Sequence, residues 1–94
     1  MQIQQEEKDK LGSFFVEENG KRVAELAYTW RSYHLISIDH TEVDDSLEGK
    51  GVGSLLVEHA VNFARETKIK LKLYCPFAIK VFARHKEFHD VLEK

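Results

Sequence analysis

The chain has little of what would stabilise it by any route other than a packed core. Its one cysteine, Cys75, excludes an internal disulfide, and the expected compartment is the reducing cytoplasm. No stretch approaches the ~18 consecutive apolar residues that a membrane span needs, and the charged segment Gln2–Lys10 is no signal peptide, so no membrane partner is expected. Neither sign of charge dominates: 14 basic and 16 acidic side chains leave a net charge of −2. No global positive field exists to collect phosphates along a duplex, which excludes nucleic acid as a first reading. The sequence also shows no repeat, linker or low-complexity tract.

What is present is core material. Hydrophobic residues make up 43% of 94 residues, among them six Phe, three Tyr and one Trp, while 32% are charged as on an ordinary soluble surface. A chain of this length buries only ~60–65% of its unfolded surface. The expectation is therefore one compact domain over residues 1–94, monomeric, with one modest core and no disorder beyond a frayed arm or weak edge strand at residues 1–12.

Periodicity sets the order of elements. Ser13–Glu18 is β-rich, Asn19-Gly20 tolerates positive φ, and Arg22–Trp30 alternates so that Ala24, Leu26, Tyr28 and Trp30 share one face, which should meet the core. A turn through Arg31-Ser32-Tyr33 leads to a third strand, Leu35–Val43, and the three strands pair most simply as an antiparallel meander. From Val52, the apolar residues Leu55, Leu56, Ala60, Phe63 and Ala64 follow helical spacing and predict a helix from near Gly51 to Thr67. Lys68–Cys75 alternates basic and apolar residues as a strand with one wet face. Pro76 then suits the first turn of a second helix, with Phe77, Val81, Phe82 and His85 as its inward stripe. The fold class is α/β (α+β): a twisted, mainly antiparallel sheet of four or five strands packed by two helices.

Between the third strand and the first helix lie glycines 49, 51 and 53. Missing Cβ atoms let backbone N–H groups converge there, the helix start adds a partial positive charge, and Lys50 adds a full one, so a phosphate or diphosphate is the natural occupant. The alternative is that the glycines only make a tight turn. A Walker loop fails because Gly51 follows Lys50 and Asp44 occupies the earlier glycine position. A dinucleotide fingerprint fails because its third glycine is Ser54 and too little chain remains for the fold.

A strand ending at Val43, the loop Glu48-Gly49-Lys50-Gly51-Val52-Gly53, a helix, the strand Ile69–Tyr74 and a second helix together resemble the acyl-CoA-binding core of the GNAT N-acetyltransferase superfamily. That family's signature at this junction is Arg/Gln-x-x-Gly-x-Gly/Ala, and Glu48 stands where Arg or Gln is usual, which leaves the turn and removes one donor. The chain looks most like the very short GNAT-like subfamily, including its Cys-Pro pair at 75–76, and the likeness is strongest over residues 35–88. The resemblance implies acetyl-CoA as cofactor. It places the diphosphate on the backbone of Gly49, Lys50, Gly51, Val52, Gly53 and Ser54, and the pantetheine arm and thioester carbonyl near Thr41–Val43, with the Val43 N–H available to the carbonyl. It also implies that the strands ending at Val43 and Tyr74 splay apart.

Acetyl transfer to an amine needs a neutral amine, a polarised carbonyl and a proton for the departing thiolate. Many relatives supply that proton from a tyrosine on the last helix. Counting back from Phe88 puts Ala83 there, so the usual acid is missing. Cys75 is the substitute candidate as proton relay or transient acyl acceptor, beside a helix N-terminus that favours thiolate; the alternative is a small buried residue capping a strand. His40 and His34 border the acyl site and are candidates to deprotonate the incoming ammonium, or are ordinary strand residues. His85 and His89 are spaced to share a helical face, but with no third ligand in view no metal site is expected. Glu42, Asp44, Asp45 and Glu48 either favour a cationic acceptor or form a solvated loop, and Lys68, Lys70 and Lys72 either meet the adenosine 3′-phosphate or form a wet strand face. The segment 1–12 is too short to supply the helices that cover the acceptor in longer relatives. The acceptor side is therefore expected to be open, suited to an exposed lysine, a small cationic amine or a partner protein. A non-catalytic acyl-CoA sensor or carrier, and a small protein-interaction module, are the other two readings.

Overall fold

The computed structural model describes residues 1–94. Five strands form one sheet in sequence order: β1 (Gln4–Lys8), β2 (Leu11–Glu18), β3 (Lys21–Ser32), β4 (Leu35–Val43) and β5 (Lys70–Leu73). The first three pairings are antiparallel and the last is parallel. That change of direction requires a crossover, which the helix α1 (Val52–Thr67) provides. A second helix, α2 (Pro76–Arg84), follows β5, and 3-10 segments cover Asp45–Leu47 and Lys86–Val91. No helix is long and apolar enough to cross a membrane.

Local chemistry explains the breaks. Asn19 (φ 55°) and Gly20 (φ 78°) both occupy the left-handed region that a two-residue hairpin turn between right-twisted strands demands. Gln4–Lys8 pairs with Leu11–Phe15 as an exposed edge strand, so residues 4–8 take the strand option for that segment. Lys68, expected to open the next strand, instead closes α1: it is left-handed (φ 61°), and the N–H groups of Lys68 and Ile69 both donate to the carbonyl of Ala64. The strand is correspondingly shorter than Lys68–Cys75.

Both helices pack on the sheet face that carries Phe14, Leu26, Tyr28, Ile36 and Ile38, joined in one buried cluster with Val52, Leu56, Val57, Ala60, Val61 and Ala64 of α1 and with Ala78, Val81 and Phe82 of α2. The inward stripe of α1 therefore runs through Val57 and Val61, and Leu55 is left exposed. In α2 the inward position expected for Phe77 belongs to Ala78, and Phe77 is exposed. His85 and His89 do not share a helical face, because α2 stops at Arg84. The His85 ring stacks on Phe88 and the His89 ring on Phe82 instead. The opposite sheet face has no helix against it; there the Arg22 guanidinium lies 3.7 Å over the Phe15 ring.

One irregularity in β4 decides where its two halves point. Partners across β3 and β4 run Ala24↔Val43 to Ala27↔His40, then shift by one so that Tyr28 faces Ile38, which makes Asp39 an extra residue. The hydrogen bonds show the consequence. Before Asp39, the carbonyls of His34 and Ile38 accept from Lys70, Tyr74 and Cys75 of the β5 side. After it, the Asp44 N–H donates to Val23 of β3. By the alternation of an antiparallel ladder, Thr41 and Val43 then direct their N–H and C=O groups away from β3, to the side where β5 has already ended.

Candidate functional site

The loop between β4 and α1 bonds the amides of Ser46, Leu47, Glu48 and Lys50 within its own turns and leaves those of Gly49 and Gly51 free. Asp44 accepts a hydrogen bond from the Ser46 N–H at 2.9 Å, which starts the 3-10 turn, and Leu47 is buried beneath it. The same bond holds the Asp44 carboxyl below its ordinary range. Gly49 (φ 79°) and Gly51 (φ 73°) then both turn left-handed, with open space where a Cβ would stand. Gly51 is the N-cap of α1 and has no side chain to bond the first-turn amides of Val52, Gly53 and Ser54.

These amides border a cleft of about 380 Å³ whose other wall is Thr41 and Val43 of β4. The lining is Thr41, Val43, Leu47, Glu48, Gly49, Gly51, Val52, Gly53, Ser54 and Phe77. The cleft therefore joins the start of a helix to the unpaired edge of a strand, an arrangement that takes an anionic group at one end and amide-bearing chain along the other.

Of the sequence-predicted residues, Thr41, Val43, Gly49, Gly51, Val52, Gly53 and Ser54 come together here. Lys50 is exposed and does not line the cleft. Cys75 is the N-cap of α2 and is only 3% exposed; its Sγ lies 3.6 Å from Thr41 Oγ1, behind the β4 wall. His40, opposite Ala27, has its side chain on the helix-free face, where it borders a separate hollow with Asp39 and Glu25. Glu42, opposite Glu25, shares that face with His40. His34 is exposed in the turn before β4, and Ala83 is exposed on α2. Lys70 and Lys72 are exposed on β5, and Lys70 Nζ donates to the Asp90 carbonyl at 2.6 Å.

Phe77 and Leu47 line the cleft without having been singled out for it from the sequence. A Cβ built on Gly53 would lie 2.7 Å from Phe77 Cζ, so the ring packs directly against the glycine backbone and edges the cleft. Gly53 thus serves close approach, whereas Gly49 and Gly51 serve backbone direction. The available signal was Pro76: a helix starting there puts Ala78, Val81 and Phe82 on one stripe and Phe77 beside it.

Residues 13–91 match the family described as GCN5-related N-acetyltransferase. The chain is 34% identical over 74 residues to Protein NATD1 of Gallus gallus, covering 78% of this chain and 67% of that protein. It spans somewhat less, 64% and 62%, of Protein NATD1 from Mus musculus and Homo sapiens. Among solved structures it is similar to a GCN5-like protein from Staphylococcus aureus, with a TM-score of 0.70 and 31% identity over 96% of this chain and 87% of that one. It shares its fold with an aminoglycoside N-acetyltransferase, AAC(6')-Iy, solved in complex with CoA, at a TM-score of 0.60 and 15% identity over 82% of this chain and 67% of that one.

Proposed function

Because the chain belongs to the GCN5-related N-acetyltransferase family, we propose that its cleft binds acetyl-CoA and that the protein moves the acetyl group to an amine. The observation that carries this reading is the uncapped start of α1 opening into the same cleft as the free edge of β4. The residues fit the cofactor. Amides of Gly49, Gly51, Val52, Gly53 and Ser54 would hold the diphosphate, the Lys50 N–H being already bonded to the Leu47 carbonyl, while main-chain groups of Thr41 and Val43 would pair with the pantetheine amides and thioester carbonyl. When bound, acetyl-CoA supplies an activated acyl group, and the protein orients it and stabilises charge on the carbonyl oxygen. His40, on the helix-free face, is the candidate to take the ammonium proton from an acceptor approaching on that side. That side carries no helix, which suits an exposed lysine or a small cationic amine.

The burial of Cys75 and the alanine at position 83 favour a second reading, a sensor or carrier that binds acyl-CoA without turnover. Calorimetric titration with acetyl-CoA tests the binding, and a panel of amines and lysine peptides tests turnover. Intact-protein mass spectrometry after incubation tests for an acetyl group on Cys75. Transfer to any acceptor excludes the carrier reading, and absence of heat at saturating acetyl-CoA sinks both. Cys75→Ala with full transfer activity removes the thiol from the chemistry.

A further inference from the structure

We propose that Asp39 is a positioning residue whose carboxylate, held by Thr29, Ser37 and Arg31, fixes the extra residue of β4 and so aims Thr41 and Val43 into the cleft. The inference rests on the acetyl-CoA reading of that cleft.

The four side chains form one cluster on the helix-free face. Asp39 Oδ2 accepts from Thr29 Oγ1 at 2.6 Å, Oδ1 accepts from Ser37 Oγ at 2.7 Å, and the Arg31 guanidinium lies 3.6 Å from Oδ1. Arg31 Nε also donates to Ser37 Oγ at 2.8 Å, and Ser37 is fully buried. The donors come from both strands, two from β3 and one from β4, so the carboxylate ties the extra residue to the regular ladder beside it. A charged acceptor served by several donors makes the stronger class of hydrogen bond, and removing it leaves the O–H of buried Ser37 without its acceptor.

What the clamp fixes is parity. Up to Ile38 the even-numbered residues of β4 turn their backbone toward β5 and their side chains toward the helices. Past Asp39 the odd-numbered residues Thr41 and Val43 do so. If the extra residue were absorbed into a regular ladder, His40 and Glu42 would take over both roles. A one-residue slip moves every side chain to the other face, so an imidazole and a carboxylate would line the cleft wall. Asp39 itself borders the opposite hollow and is not part of the cleft lining.

The test compares two ligands by calorimetry on the full chain: acetyl-CoA, and adenosine 3′-phosphate 5′-diphosphate, which keeps the diphosphate and lacks the pantetheine arm. In Asp39→Ala the expected result is at least a tenfold loss of affinity for acetyl-CoA with less than a twofold change for the nucleotide; Asp39→Asn, keeping one accepting oxygen, should fall between. Thr29→Val removes one donor at nearly constant volume and should shift affinity the same way by a smaller factor, which keeps the test available if Asp39→Ala does not fold. Equal losses for both ligands, or unchanged acetyl-CoA affinity in the folded variants, overturn the positioning role. A wild-type protein that binds neither ligand overturns the acetyl-CoA reading itself, and this inference with it.

Discussion

Gly53 shows how a single missing methyl group shapes the cleft. In Gly53→Ala the new Cβ meets the far end of the exposed Phe77 ring at 2.7 Å, so the ring must swing aside, at a cost of ~1 kcal/mol, the low end for overpacking. Adding Phe77→Ala should recover most of that loss, and a double-mutant cycle by urea denaturation should return a coupling energy well away from zero. Gly51→Val raises a different problem: at φ 73° with open space around it, its cost is backbone strain of ~1–2 kcal/mol and not a clash. Its expected signature is loss of acetyl-CoA binding in titration with the circular dichroism spectrum retained. The glycine spacing was readable in the sequence because backbone direction at 49 and 51 is a local matter. The placement of Phe77 was not, since it depends on how two elements distant in sequence meet.

Among the elements, β1 is tied to β3 by three side chains beyond its own ladder: Arg22 bonds Glu6, Trp30 bonds Glu7, and the buried Tyr28 hydroxyl bonds two residues at once. Tyr28 Oη donates to Glu7 at 2.6 Å and accepts from Gln5 Nε2 at 2.7 Å, and burial, with the Glu7 bond second, pushes its phenol well above the ordinary range. Tyr28→Phe removes two of these bonds and should loosen β1 without dismantling the sheet: amide exchange at residues 4–8 accelerates while β3 and β4 stay protected. At the other end, the Arg65 guanidinium of α1 bonds Asp90 at 2.7 Å and holds its carboxyl below the ordinary value of 3.8. A depressed folded-state pKa gives stability that is present above the unfolded value and lost as pH falls through the folded one. Melting temperatures of wild type and Asp90→Asn should accordingly differ near neutral pH and converge as the solution is acidified below about pH 4. The Asn19-Gly20 hairpin and the crossover helix were legible from turn chemistry and period. The extra residue in β4 is also written in the sequence, as β-branched inward positions that switch from Ile36 and Ile38 to Thr41 and Val43. It does not stand out there because the run looks roughly alternating throughout.

For the molecule as a whole, ligand binding and folding stability are linked. If acetyl-CoA binds the native state alone, a concentration one hundred times Kd adds ~2.7 kcal/mol. For a chain of this length that corresponds to a rise of roughly 10–20 °C in melting temperature, readable by differential scanning fluorimetry. The twisted sheet with two helices was legible because its elements carry distinct periods. The side that the helices take was legible in part, since alternation put Ala24, Leu26, Tyr28 and Trp30 toward the core, whereas the hollow that Glu25, Asp39 and His40 border on the opposite face shows only in the assembled sheet.

The free margin of β1 has a consequence in concentrated solution. Its five residues read Gln-Gln-Glu-Glu-Lys and are all exposed, with no helix laid along them. Another copy attempting to extend the sheet there would bring Glu6 and Glu7 against its own like-charged pair. Such self-repulsion disfavours the pairing of two β1 edges into a joint sheet.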